Sequence, residues 1–483
     1  MDKQKHFFNL FLGTGLNVLL SAITTPIITR LVLPNDYGQL SLFTMYGSIV
    51  STFILLGQDF AYNRFYYQYT DRDYKKYVLG LTLKWPLFIS IVTSIGICAY
   101  CIISKQRHSW IIIFAVYIVT MTVDRFSSMT LRLDMKSIIY SFNLNVHKLL
   151  YTILIVVAVS LTDIDHVIIL TGCTVLAQIA SCFIGIIAER DIWRANLFSL
   201  KEKKKYSNVL NFKITWKYGW PFIFQSLCAW LFTGADRLMI ELFCNSEQLG
   251  IYASALSMMG IFSIITTTFT TLWAPMAVED YENNSGNIEF FVKAADYISV
   301  ILFFAGICII LFKDLIVYFL GAEYREAAFL IPFLSMCPIL YTISESTVYG
   351  INFKQKTHWH IVITTSCGIL NVVMNFFFIN IMGVLGTAVS TAITYTILLI
   401  MRTFFSKKYF PVNYHTKKMG VMIVLYYIYA IYSSSHTTTW ISVSLFVGSI
   451  LVSVILYKDS IKDLWGMLVN YIIQIKKKLK GKK

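Results

Sequence analysis

This sequence is short of charge. Asp, Glu, Lys and Arg supply 14% of its 483 residues, against about 25% in an ordinary soluble domain. Apolar residues supply 57%, and the mean hydropathy is +0.63. So little polar surface excludes a cytosolic enzyme, a secreted domain and an ordinary nucleic-acid binder. Catalytic signatures are missing too, with no P-loop, dinucleotide fingerprint or nucleophile triad. The nine cysteines are odd in number and scattered through apolar runs, and none joins histidines at zinc-ligand spacing. Cys98 and Cys101 form a C-x-x-C with no βαβ pattern around it, so they read as small buried hydrophobes, not a redox pair. The sequence therefore predicts no enzyme chemistry, no metal and no cofactor.

What it has in abundance is long apolar runs. A helix crossing a bilayer needs about 20 apolar residues. Hydropathy marks fourteen such segments: 8–29, 40–60, 83–103, 110–130, 138–161, 167–188, 217–242, 251–272, 297–320, 328–351, 359–380, 385–405, 419–434 and 440–457. Open sheet edges do not survive in hydrocarbon. The expected fold is an all-α polytopic membrane protein of about 14 transmembrane helices. The first run follows the basic segment Met1–Lys5 and has no A-x-A site, so it reads as a membrane span and not as a cleaved leader.

The net charge is +15. With the N-terminus in the cytoplasm, 33 of the 41 Lys and Arg fall on the inner side. Six fall outside (Arg30, Lys105, Arg107, Arg237, Lys313 and Arg325), and Arg125 and Lys148 stay within spans. Lys and Arg collect on the cytoplasmic side of membrane proteins. Both termini are thus expected inside, with the Lys476–Lys483 tail beside anionic lipid. That placement accounts for the positive charge without a nucleic acid. The polar stretch Glu189–Lys217, with its basic run Lys201–Lys205, reads as a linker between two bundles, a protein-docking loop being the alternative.

A weak internal repeat supports two bundles. Asn35-Asp36-Tyr37-Gly38-Gln39-Leu40 opens the second span, and Glu247-Gln248-Leu249-Gly250-Ile251-Tyr252 opens the eighth. Each follows a span with a mid-membrane amide, Asn17 in one and Gln225 in the other. Two six-helix halves with a site between them is a transporter plan.

The same residues carry a family resemblance. Arg30-x3-Pro34-x2-Tyr37-Gly38 and the stretch from Gly57 to Arg64-Phe65 resemble the first half of bacterial polysaccharide-biosynthesis flippases of the Wzx type. Tyr218-Gly219-x-Pro221, Asp236-Arg237, Leu249-Gly250-x-Tyr252, Trp273-x-Pro275 and Gly383-x2-Gly386 resemble the second half. That group belongs to the superfamily that also holds multidrug and lipid II exporters. The resemblance implies two six-helix lobes, residues 1–188 and 217–405, around a central cavity. Between them runs a cytoplasmic linker, 189–216; two additional helices, 406–457, and a basic tail, 458–483, follow. It also implies a bacterial inner membrane and the flipping of an undecaprenyl-diphosphate-linked oligosaccharide. Membrane lipids, a polymerase and other polysaccharide-assembly proteins are the implied partners. Span 8–29 carries no arginine and no acidic residue, which favours the oligosaccharide group over lipid II and multidrug exporters.

Desolvating a diphosphate and many hydroxyls is costly, so a polar, cationic cavity is expected. A charge at the centre of a membrane helix costs about 2.5–3.5 kcal/mol, which singles out ionisable groups at depth. Lys148, near the middle of its span and beside Asn145 and His147, is a candidate for the diphosphate or for an ion pair with a neighbouring helix. Arg125 fits a phosphate or an interhelical salt bridge, and Asp124 fits pairing or titration. Asn371 and Asn375, at i and i+4, suit sugar contact or helix–helix hydrogen bonding. Asn17 and Gln225 complete the cavity candidates. Glu345 is a candidate for H+ or Na+ coupling or for gating, and Arg30, Asp236 and Arg237 for an outer gate.

Overall fold

The computed structural model describes residues 2–104, 109–193, 205–284 and 287–480. Among them lie 21 α-helices and no strand, as the all-α reading expects. Lys105, Arg107, the Lys201–Lys204 part of the basic run and the last three residues of the tail lie outside the described residues. The chain divides into two compact units, Met1–Ile261 and Phe262–Lys483.

The first unit holds α1 (Asp2–Thr29), α2 (Pro34–Leu55), α3 (Gln58–Phe65), α4 (Arg72–Ser104), α5 (Ser109–Leu133), α6 (Ser137–Leu161), α7 (His166–Ala188), α8 (Arg190–Trp193), α9 (Phe212–Thr233), α10 (Ala235–Phe243) and α11 (Ser246–Met259). The second holds α12 (Phe262–Asn283), α13 (Ile288–Leu311), α14 (Lys313–Tyr318), α15 (Ala327–Thr347), α16 (Tyr349–Phe353), α17 (His358–Met382), α18 (Val384–Tyr409), α19 (Thr416–Ser433), α20 (Trp440–Leu456) and α21 (Lys458–Lys480). Among the described residues, ten helices are long and apolar enough to cross a membrane, or twelve if two bent pairs each count as one span. The protein is a multi-pass membrane protein.

The difference from fourteen has a local cause. Segment 217–242 breaks at Gly234 into α9 and α10, and α10 carries Asp236, Arg237 and Glu241. Segment 419–434 is α19, whose hydropathy is lowered by Lys417, Lys418 and four tyrosines. The second span also lies earlier than 40–60. Pro34 starts α2, where its missing N–H costs no helical hydrogen bond. Leu56 and Gly57 then end the helix at φ +51° and +67°.

Polar and small side chains knit the first unit, as lipid offers no hydrophobic drive for helices to associate. Asn17 Nδ2 donates to the Leu144 carbonyl at 2.9 Å, and Asn145 Nδ2 to the Gly13 carbonyl at 3.2 Å. Thr24 and Thr152 share a hydroxyl hydrogen bond of 2.8 Å. These bonds fasten α1 to α6. Helix α2 is held at both ends by backbone contact. A Cβ on Gly38 would strike the Ser246 carbonyl, and one on Gly250 the Pro34 carbonyl. At the other end, Gly57 and Gly219 face each other's carbonyls in the same reciprocal way.

Beyond the Gly57 end lies a polar cluster on a tyrosine-rich core of Tyr62, Tyr66, Tyr74 and Phe126. Asp134 accepts from Lys75 at 2.6 Å and Tyr66 at 2.9 Å, and pairs with Arg72 at 2.9 Å. Burial pushes its carboxyl up, but these donors outweigh burial and hold it below the usual carboxylate range. Glu189, paired with Lys136 at 2.8 Å, is raised, because burial outweighs its partner.

In the second unit, Asn375 Nδ2 donates to Asn371 Oδ1 at 3.0 Å, Ser390 donates to Asn375, and Asn371 reaches Thr391 at 3.4 Å. All four groups are buried between α17 and α18. Helix–helix hydrogen bonding is the role the structure shows for both asparagines.

Candidate functional site

Two of the cavities in the first unit lie near opposite ends of α2 and are lined by charged and hydroxyl side chains. The first, about 310 Å3, lies at the Gly57 end. Ser51 and Thr52 of α2, Asp59 and Phe60 of α3, Asp124 and Arg125 of α5, and Gln178 of α7 line it together with Phe222 of α9. The turn at Leu56–Gly57 redirects the chain so that α3 faces α5. Arg125 then donates from Nε and Nη2 to the same oxygen, Oδ2 of Asp59, at 3.1 and 2.8 Å. The Asp59 side chain is 5% exposed and that of Arg125 50%. Asp124 turns away from its neighbour and accepts from Ser181 at 2.8 Å. Phe60 stacks on Phe222, with centroids 4.4 Å apart.

Lys148 stands halfway along α6, partly buried, with Nζ 5.8 Å from the centre of the Tyr151 ring. Among the described residues no carboxylate pairs with it, so the ion pair the sequence allowed is not formed. His147 lies beside it, partly buried. The Oδ1 atoms of Asn143 and Asn145 are buried with no donor. The Lys148 ammonium and these two buried amide oxygens thus lie on one helix.

The second cavity, about 330 Å3, lies at the other end of α2. Tyr37, Ser41 and Thr44 line one side, Arg237 of α10 and Ser257 of α11 the other. Asp236 is buried and accepts from Tyr252 at 2.9 Å. Arg30 is exposed at the end of α1, and Gln225 is exposed on α9.

In the second unit, Glu345 accepts from Arg402 at 2.5 Å, while the same Nη1 reaches Ser344 at 2.9 Å. The guanidinium also lies 5.0 Å from the Tyr341 ring centre. This pair joins α15 to α18. The structure thus brings Asp124 and Arg125 to one cavity, puts Arg237 in another, and leaves Lys148 apart from both acids. Glu345, Asn371 and Asn375 belong to the other unit.

Sequence reasoning missed Asp59 and Arg402. Both signals were present. Asp59 lies inside the Gly57–Phe65 motif, and Arg402 is a cation within span 385–405 that side-counting assigns to the cytoplasm.

Residues 4–280 match the model of a family described as polysaccharide biosynthesis protein. The chain belongs to that family. Among curated proteins none matches the sequence. In fold, this family member is similar to a lipid II flippase, MurJ, in an inward closed conformation, with TM-score 0.64 and 14% identity over 95% of this chain and 99% of that one. It is also similar to an inward-facing multidrug resistance MATE family transporter, with TM-score 0.54 and 14% identity over 81% of this chain and 94% of that one. At these identities the likeness is one of fold.

Proposed function

We propose that this polysaccharide biosynthesis protein flips an undecaprenyl-diphosphate-linked oligosaccharide from the cytoplasmic to the outer leaflet by alternating access. One observation carries the reading: Lys148 is a cation at mid-span with which no carboxylate pairs among the described residues. Such a residue is costly to keep in hydrocarbon, and a diphosphate is the kind of cargo that rewards it. Family membership supplies the polysaccharide context, and the fold likeness is to transporters.

In this reading both termini face the cytoplasm of a bacterial inner membrane. The Gly57 end of α2 is then cytoplasmic and the Pro34 end is outer. The two six-helix halves rock about the substrate, driven by H+ or Na+ or by downstream consumption of product by a polymerase. Arg125, held by Asp59, is a gate that the incoming diphosphate opens by competing for the guanidinium. The product is a surface polysaccharide such as a capsule or O-antigen.

The test is complementation of a strain lacking its flippase, within the matching polymer locus. Wild type should restore surface polysaccharide, and Lys148→Gln should not, at equal membrane expression. Restoration by Lys148→Gln sinks the cation's role. Failure of wild type, with precursor still on the inner leaflet, sinks the flippase reading. Resistance to drugs without polysaccharide would point to a multidrug exporter, and rescue of a lipid II flippase mutant to a lipid II exporter.

A further inference from the structure

The cavity at the Pro34 end of α2 contains two buried polar atoms with nothing to bind. Arg237 Nε is buried without an acceptor. Ser41, 7% exposed and lining the same space, has a hydroxyl with no partner. Burying such groups unsatisfied costs stability, more for a charged donor. The surrounding carboxylates are committed elsewhere: Asp36 to His166 at 3.3 Å, Asp236 to Tyr252 at 2.9 Å, and Glu241 to Ser246 at 2.9 Å. Two donors and a charge, in a cavity of about 330 Å3 with no acidic partner, describe a receptor for an anion.

The cavity is also connected to the mid-span lysine. Lys148 lies over the Tyr151 ring. Tyr37 packs against the apolar cluster that contains Tyr151 and lines the cavity beside Arg237 and Ser257, where Ser257 shares a 2.6 Å hydroxyl hydrogen bond with Thr25. Lys148 and Arg237, neither of them in an ion pair among the described residues, therefore lie at the two ends of this Tyr151–Tyr37 stretch. In the inner cavity, by contrast, both donors of Arg125 used on Asp59 are occupied.

We infer that the Arg237–Ser41 cavity is a second anion site, which takes the phosphate oxygens of the lipid-linked diphosphate after Lys148 has held them. This rests on the flippase reading. The chemistry recognised is a phosphate oxygen, which could also come from a bilayer headgroup, and the experiment separates the sources.

The full-length protein in nanodiscs is titrated with undecaprenyl diphosphate, with inorganic pyrophosphate and with phosphatidylglycerol, binding being read by native mass spectrometry. Arg237→Gln should weaken undecaprenyl diphosphate about tenfold or more, the loss of a charged hydrogen bond. Ser41→Ala should weaken it severalfold, and Arg237→Lys should recover part of the affinity. Weaker parallel losses with pyrophosphate would support recognition of the phosphates themselves. If Arg237→Gln and Ser41→Ala bind like wild type while Lys148→Gln binds poorly, the second site is refuted and the flippase reading stands. If wild type binds no undecaprenyl diphosphate, both fall. Equal competition by phosphatidylglycerol would reassign the cavity to headgroups and overturn the proposal. Should Arg237→Gln fail to fold, Ser41→Ala decides alone.

Discussion

Replacing Lys148 with methionine should make this protein more stable and inactive. An unpaired cation at the middle of a membrane helix costs about 2.5–3.5 kcal/mol. The Tyr151 ring, 5.8 Å from Nζ, returns about 0.5–1 kcal/mol of that. Methionine has similar length and no charge, so Lys148→Met should gain about 1.5–3 kcal/mol, a rise of a few degrees in Tm. The assay is thermal unfolding of the purified full-length protein in one detergent, read beside surface-polysaccharide complementation in cells. Arg402→Met supplies the contrast, since it strips Glu345 of its partner and should lower Tm. A fall in Tm for Lys148→Met would mean that the lysine holds the fold together through contacts its surroundings do not suggest, and the argument for a binding cation would fail.

Exposure makes the Asp59–Arg125 pair asymmetric: Arg125→Ala leaves the 5%-exposed carboxylate unpaired and should cost about 3–5 kcal/mol, whereas Asp59→Asn leaves a half-exposed guanidinium and should cost about 1 kcal/mol. Equal Tm losses in the two variants would refute this. Gly38→Ala must push Ser246 away from α2 and should lower Tm, while Gly15→Ala, with nothing within 4 Å of its added methyl, should leave Tm unchanged; helix scanning by thermal shift checks both. Asp134 is held below its ordinary value, so its contribution is present above about pH 4 and is lost as pH falls through its lowered folded value. Stability measured against pH should therefore show an acid limb that Asp134→Asn shortens, with the group's contribution full and constant between about pH 5 and 7.

Hydropathy sufficed for the all-α membrane fold, because uninterrupted apolar runs of about 20 residues cross lipid as helices, not as the short alternating strands of a barrel. The Pro34–Gly38 and Gly57–Phe65 motifs were legible as family marks, yet their reciprocal contacts with Gly250 and Gly219 were not. A close approach depends on two segments far apart in sequence, and one glycine looks like any other until its neighbour is in place. By length and composition ten to twelve helices qualify as spans; the expected segments that do not are the one Gly234 breaks and the one that lysines and tyrosines thin in α19.

Partnership was likewise a tertiary matter. Lys148, Arg125, Arg237 and Glu345 all stood out in the sequence as ionisable groups at or near membrane depth, because insertion is costly for each. Which of them is neutralised was decided by helix packing. Asp59 reaches Arg125 only because the chain turns at Gly57, and Arg402 reaches Glu345 only because α15 lies against α18. Asn371 and Asn375 meet Ser390 and Thr391 for the same kind of reason. Sequence sets the free-energy cost of a buried charge; only the neighbouring helices determine whether a partner offsets it or a vacancy is kept for a ligand.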